Sequence, residues 1–308
     1  MESERWTLLC DGVDREVSGL WERYAATGAV TAGQIAAGFS NLAELRQGRE
    51  PAYAADGTGA AYVLVYMVQR TASLVLAFDA AELPSRPLRI LDIGAGTGAT
   101  AVALRVIERR EDAVTFVEPN AGMRSFIALK PELDECLEAT MEDVLSQATL
   151  GGERYDLIVL SACLPYGWRP GSGRGGEAEF GAALRNRLLE GGQVILIEPP
   201  AKAAQVEIAV RAFELVDMAV ERISFESLVD GGSPRRLARE TSASLEQLHR
   251  RLLDTGLLSR AGEDLLGPPW AITTTAASAD LALVARTRDF TFRPVPRERF
   301  CCTLCICY

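Results

Sequence analysis

Apolar residues follow two rhythms in this chain, and the change falls near residue 87. Before it the spacing is helical. Thr31-x-x-Gln34 reads as a capping box that opens a helix through Ile35, Phe39, Leu42 and Leu45, stopping at Gly48. An Asp56-Gly57 turn leads to a second helix from about Gly59 to Leu83. Its apolar residues lie on nearly all sides, which predicts burial against a sheet. Pro84 and Pro87 mark the boundary. From Leu88 onward short apolar strands alternate with helices: strands at 88–93, 113–117, 155–160 and 192–197, helices after residue 99, at about 177–189 and at about 201–216. Leu281 to Ala285 is the candidate last strand. This alternation predicts an α/β fold with a doubly wound, mostly parallel, seven-stranded sheet. The expected organisation is an N-terminal helical cap over 1–86, a sheet domain over 87–290 and a tail over 291–308.

The first strand runs into three glycines, Gly94, Gly96 and Gly98, and then into a helix. Glycines at that break permit a tight turn and a close approach of backbone to ligand, and the helix start offers N–H groups to it. Gly94-x-Gly96-x-x-Ala99 also satisfies the dinucleotide fingerprint, so the turn alone leaves two cofactor classes open. Asp92 stands just before the turn. Glu118 closes the second strand, at the distance where a carboxylate meets a ribose diol.

Asp92-Ile93-Gly94-Ala95-Gly96-Thr97-Gly98, followed by Val117-Glu118-Pro119-Asn120, resembles the first two motifs of class I S-adenosylmethionine-dependent methyltransferases. Ala139-Thr140-Met141-Glu142-Asp143-Val144 is similar to that family's loop after the third strand. The resemblance implies S-adenosylmethionine as cofactor. It places Asp92, Gly94, Ala95, Gly96 and Gly98 around the methionine part, Glu118 and Pro119 at the ribose, Glu142 and Asp143 near the adenine, and Ser161 at the end of the fourth strand. Tyr166, in Ser161-Ala162-Cys163-Leu164-Pro165-Tyr166, is the candidate catalytic residue facing the acceptor, although this segment departs from the family's Asp/Asn-Pro-Pro-Tyr/Phe signature. Glu198-Pro199-Pro200 is a further site-facing candidate. Arg49 to Ala55 together with Leu196-Ile197-Glu198-Pro199 also resembles a family of small-ribosomal-subunit methyltransferase-like proteins. That kinship bears on architecture more than on substrate, because the region after the fifth strand lacks that family's cysteines.

The 308 residues carry a formal net charge of -10, a poor field for concentrating nucleic acid. The expected acceptor is therefore a small molecule or peptide. A ribosomal RNA methyltransferase or ribosome-assembly factor and a nicotinamide-dependent oxidoreductase are the alternatives. The latter calls for a Tyr-Lys pair or a catalytic histidine, and the single histidine, His249, reads as solvated. Acids at Glu2 and Glu4 stand where a signal peptide is basic, and the apolar run from Ala60 to Val68 stops at Gln69-Arg70. Both suggest a cytoplasmic protein with no membrane span. Oligomeric state is left open. Cys10, Cys136 and Cys163 read as core residues. Cys301, Cys302, Cys305 and Cys307 admit three readings: a disordered tail, a metal hook built on Cys302-x-x-Cys305, or a peptide substrate carried in cis.

Overall fold

The computed structural model describes residues 2–27, 31–42, 44–45, 49–146, 150–165, 174–199, 202–223 and 281–287. Three helices precede the sheet: α1 (Glu2–Ala26), α2 (Ala32–Leu42) and α3 (Thr58–Ala80). In α1 the buried positions Val13, Val17, Leu20 and Trp21 make a single stripe at helical spacing. The α2 cap forms as expected. Thr31 Oγ1 accepts from the Gln34 N–H at 3.3 Å, and the Thr31 N–H donates to Gln34 Oε1 at 2.8 Å. By length and composition α3 would suffice to cross a membrane, but 94% of that window is buried inside the fold. It packs on α1, α2 and α4 (Ala99–Val106).

The strands are β1 (Arg89–Ile93), β2 (Ala113–Val117), β3 (Glu135–Leu137), β4 (Tyr155–Ser161), β5 (Leu188–Glu198), β6 (Met218–Ile223) and β7 (Leu281–Thr287). They form one seven-stranded sheet in the order β3-β2-β1-β4-β5-β7-β6. All neighbours through β5 pair parallel, and β7 runs antiparallel to both β5 and β6. The remaining helices are α5 (Ala121–Arg124), α6 (Met141–Leu145), α7 (Arg174–Asn186) and α8 (Ala203–Leu215). This is the doubly wound, mostly parallel seven-stranded sheet that the alternation predicts.

Side chains alternate between the two faces of each strand, and the core divides accordingly. Ile90, Val114, Phe116, Leu157 and Val159 pack with α1–α4, whereas Leu91, Ile93, Ile158 and Leu160 pack with α7 and α8. Asp92 and Ser161 share the parity of Ile90 and Leu157, so both belong to the face covered by α3 and α4. The chain runs outward from β1 to β3 and then returns to add β4 on β1's other side. The crevice at the carboxyl ends of β1 and β4 is therefore the topological switch point, where open sheets bind ligands.

Two boundaries differ from expectation. The helix before β5 ends at Asn186, not near Leu189, because the Arg187 carbonyl is taken by the Tyr155 N–H at 2.7 Å and Leu188 already pairs with Tyr155. The Arg187 guanidinium fixes that exit by donating to Gly151 O at 2.9 Å and Val144 O at 3.1 Å. The strand β6 is not among the expected elements, for only Met218 is buried, and the others are half-buried or exposed. Tyr166, Pro200, His249 and the cysteine tail lie outside the described residues.

Candidate active site

The β1–α4 turn is held from beneath by β2. The N–H groups of Gly94 and Ala95 both donate to Val117 O, at 2.9 and 3.0 Å, so they face the sheet and not a ligand. Glu118 Oε2 accepts from the Gly96 N–H at 2.9 Å, while its Oε1 accepts from the Asn120 N–H and Nδ2 at 2.9 and 2.7 Å. Glu118 is thus a buried carboxylate with its rotamer fixed by three donors. Four lone-pair directions leave it with capacity for another donor.

Two glycines in the turn do different work. Gly94 has φ +72°, and a Cβ there would sit 2.4 Å from Cys163 Cβ, so protein packing excludes any side chain. Gly96 has φ +56°, but a Cβ there would meet nothing nearer than Met123 Cε at 3.6 Å. The space in front of Gly96 is a cavity of about 340 Å³, within the range of small-ligand sites. Gly96 is the floor of a cradle that a side chain would fill.

Of the residues expected at the site, Asp92, Gly94, Ala95, Gly96, Glu118, Pro119, Glu142 and Ser161 line this one cavity. Two others do not. Gly98 caps α4 at φ +83° and packs on Ile127. Asp143 closes a capping box on Thr140, accepting from the Thr140 N–H at 2.9 Å and Oγ1 at 2.7 Å; these bonds hold its carboxyl below the usual range. The acid of this loop that faces the cavity is Glu142. Asp143→Ala is accordingly expected to lower the melting temperature by a few degrees through the lost cap, with no change in ligand affinity. Glu142→Ala should do the reverse, which paired thermal melts and calorimetry will read.

Asp92 is 2% exposed, and its Oδ2 has no hydrogen-bond partner. Burial pushes its pKa up to about 7; a hydrogen bond with the Thr100 side chain opposes the shift and the Glu118 charge adds to it. Ser161 Oγ is likewise buried and unpartnered, and Ser161 lines the cavity together with Thr100, whose side chain is hydrogen-bonded to Asp92. Buried polar atoms without partners are rare in folded proteins. Two at one cavity, Asp92 Oδ2 and Ser161 Oγ, give it a surface suited to polar groups of a ligand.

The cavity lining also contains residues that the sequence did not flag as functional: Glu50, Tyr53, Tyr62 and Arg70 from the helical region, and Cys163 and Lys202 from the loops after β4 and β5. Tyr53 and Tyr62 meet edge-on, ring centroids 6.4 Å apart. Burial raises the Tyr53 hydroxyl far above its ordinary range, keeping it a proton donor. Burial also pushes the Cys163 thiol up, so it stays protonated and poorly nucleophilic. Ala162 beside it adopts φ +53°, a strained conformation for a residue with a Cβ, and its N–H is pinned to Ile197 O at 2.7 Å.

Glu198 is not a site-facing residue. It is fully buried behind the wall, accepting from the Leu164 N–H at 2.7 Å, with Lys202 Nζ 3.6 Å from its other oxygen. Lys202 in turn donates to Leu164 O and lies 3.8 Å from Glu50 Oε1. The Glu198–Lys202 pair therefore ties the β4 loop, the β5 loop and the Glu50 segment into one wall.

The chain matches no protein-family model and no curated protein. Among solved structures it is similar to the Haemonchus contortus phospholethanolamine N-methyltransferase 2 bound to phosphomonomethylethanolamine and S-adenosylhomocysteine. The identity is 13%, with 70% of this chain and 52% of that chain covered, at a TM-score of 0.45. It thus spans about half the length of that enzyme. It is also similar to the plantazolicin methyltransferase BpumL, at 12% identity with 90% and 97% covered and a TM-score of 0.42. A third likeness is to an S-adenosylmethionine-dependent methyltransferase of Archaeoglobus fulgidus, at 14% identity with 71% and 94% covered and a TM-score of 0.41.

Proposed function

We propose that the chain is an S-adenosylmethionine-dependent methyltransferase acting on a small-molecule or peptide acceptor. The observation that carries this reading is the cavity at the switch point, where the open floor at Gly96, the fixed Glu118 carboxylate and the orphaned Asp92 Oδ2 converge. That set fits a ligand with a ribose diol at one end and a cationic amino-acid group at the other. Glu118 would take the ribose hydroxyls. Asp92, with Thr100 and Ser161 beside it, would take the ammonium. Glu142 would stand at the adenine. The cofactor supplies a methyl group already activated on a sulfonium. What remains to the protein is to bind, to exclude water and to align an acceptor, and alignment alone is worth about 7–11 kcal/mol.

The tyrosine-lined wall of Tyr53 and Tyr62 gives the acceptor an amphipathic surface facing the glycine turn. The net charge of -10 favours a small or peptidic acceptor over nucleic acid.

Calorimetry with S-adenosylhomocysteine tests the reading. Glu118→Ala removes a charge-assisted hydrogen bond and is expected to cost about 1.5–3 kcal/mol of binding. Unchanged affinity, or tighter binding of NAD than of the methyl donor by the wild type, would overturn the assignment.

A further inference from the structure

The chain between α2 and α3 passes through Glu50 and Tyr53, and α2 itself holds it there. Asn41 grips the backbone at two points: the Ala52 N–H donates to Asn41 Oδ1 at 2.9 Å, and Asn41 Nδ2 donates to Ala52 O at 2.8 Å. The same Nδ2 donates to Oγ1 of Thr58, the first residue of α3, at 2.9 Å. One residue beyond the grip, the Tyr53 N–H closes a turn on Pro51 O at 3.0 Å. Both helices thus set the place of Tyr53, and its ring rests edge-on against Tyr62 of α3.

Tyr53 and Glu50 both line the cavity, and the Tyr53 hydroxyl is hydrogen-bonded to the Glu50 side chain. A phenol has one proton to give and a carboxylate has none, so the bond runs from Tyr53 Oη to Glu50. The titratable and charged groups acting on the hydroxyl are Tyr62, Glu50 and Arg70. Lys202 Nζ is 3.8 Å from Glu50 Oε1 and donates to Leu164 O, which sets the pair beside the loop after β4. With its single proton committed to Glu50, the hydroxyl meets the cavity through oxygen lone pairs. An ether or thioether, bringing only lone pairs of its own, finds no partner there. A group with an N–H or O–H does.

Resting on the methyltransferase reading, we infer that Tyr53 selects the acceptor: its oxygen, with the phenol proton turned to Glu50, takes a hydrogen bond from the N–H or O–H of the group to be methylated. The acceptor is then a hydrogen-bearing nucleophile, an amine or a hydroxyl, and carbon and thioether acceptors are disfavoured. Glu50 is a positioning residue that acts through Tyr53, by fixing which way the hydroxyl points.

The test uses the full chain saturated with S-adenosylhomocysteine and probes that share a benzyl ring. Benzyl alcohol is compared with benzyl methyl ether, and benzylamine with benzyltrimethylammonium; the second of each pair lacks the donor hydrogen. In titration calorimetry at least one donor-bearing probe should bind about fivefold or more tightly than its counterpart, the effect of one hydrogen bond. Which pair shows it separates hydroxyl from amine. Tyr53→Phe should abolish the preference. Glu50→Leu frees the phenol proton to turn inward, so benzyl methyl ether should bind more tightly than it does to the wild type, whereas a packing defect would weaken every probe. A preference that survives Tyr53→Phe, or equal or absent binding across both pairs in the wild type, overturns the inference, while binding of S-adenosylhomocysteine keeps the methyltransferase reading. A wild type that does not bind S-adenosylhomocysteine overturns both. Should Tyr53→Phe fail to fold, the ether titration of Glu50→Leu decides: a gain supports the role, and unchanged or weaker binding refutes it.

Discussion

Asp92→Asn should make the ligand-free protein more stable at pH 8 while impairing cofactor binding. In the folded chain the Asp92 carboxyl titrates near pH 7, against 3.8 ordinarily, because burial disfavours its charged form. The sign follows from proton linkage. Between about pH 4 and 7 the folded state holds a proton that the unfolded state has released, so stability falls as pH rises through that window and stays low above it. A shift of this size corresponds to roughly 4 kcal/mol at pH 8. Asparagine keeps the shape without the charge, and part of that cost should be recovered, about 1–3 kcal/mol once the amide's own burial is counted. Denaturant titrations from pH 4 to pH 8 will show it: the wild type should lose stability across the range and the variant should not. A bound cation beside Asp92 reverses the effect by drawing the proton off. Wild-type affinity for the donor is therefore expected to rise with pH through 7, with proton release visible as a buffer-dependent binding enthalpy. A pH slope shared by both proteins would exclude Asp92 as its source.

Lys202→Met is expected to be more damaging. The methionine fills the same space, but it leaves the fully buried Glu198 facing Leu164 without its cation. Removing one member of a buried ion pair typically costs about 3–5 kcal/mol, because the remaining charge is uncompensated. Two secondary measurements separate this cause from poor packing. Stability of the variant should recover as pH is lowered and the carboxyl gains a proton, and the double variant Lys202→Met, Glu198→Gln should regain most of the loss, as coupled neighbours do. A double variant as weak as the single one would show that Lys202 acts through its stem contacts alone.

The side of this cavity formed by the glycine turn and the end of β2 is legible in the sequence because its signals are local. Strand, glycine turn and helix succeed one another within about a dozen residues, and Glu118 follows at the end of the next strand. The two acids of the Glu142-Asp143 pair were not separable in that way, since which one faces the cavity depends on the capping box that Thr140 forms with Asp143. The other wall was legible only as pattern. Glu50, Tyr53, Arg70 and Lys202 come together across more than a hundred residues of chain, and no spacing rule links them. Arg70 shows the difficulty clearly. In the sequence it interrupts an apolar run; in the fold it is one of several buried polar residues of α3 and it lines the cavity. Cys163 was read as a core residue because its contact, the missing side chain of Gly94, is an absence that only three dimensions display. The strand β6 escaped because an edge strand that is only half-buried gives a weak alternation.

The place of β7 between β5 and β6 has a consequence for the order in which the chain can be completed. Among the described residues no hydrogen bond joins β6 to β5, and β6 is tied to the sheet through β7, pairing Val220 with Ala285 and Ala285 with Val194. A nascent chain that has emerged only as far as Ile223 therefore exposes the open edge of β5, and β6 has no partner to dock on. At about 5–20 residues per second the ribosome needs several seconds to deliver Leu281–Thr287. During that interval the edge of β5, with its apolar Val194, Ile195, Leu196 and Ile197, is open to pairing with another chain. Nascent chains arrested before residue 281 should accordingly be the species that chaperones hold and that aggregate when they do not.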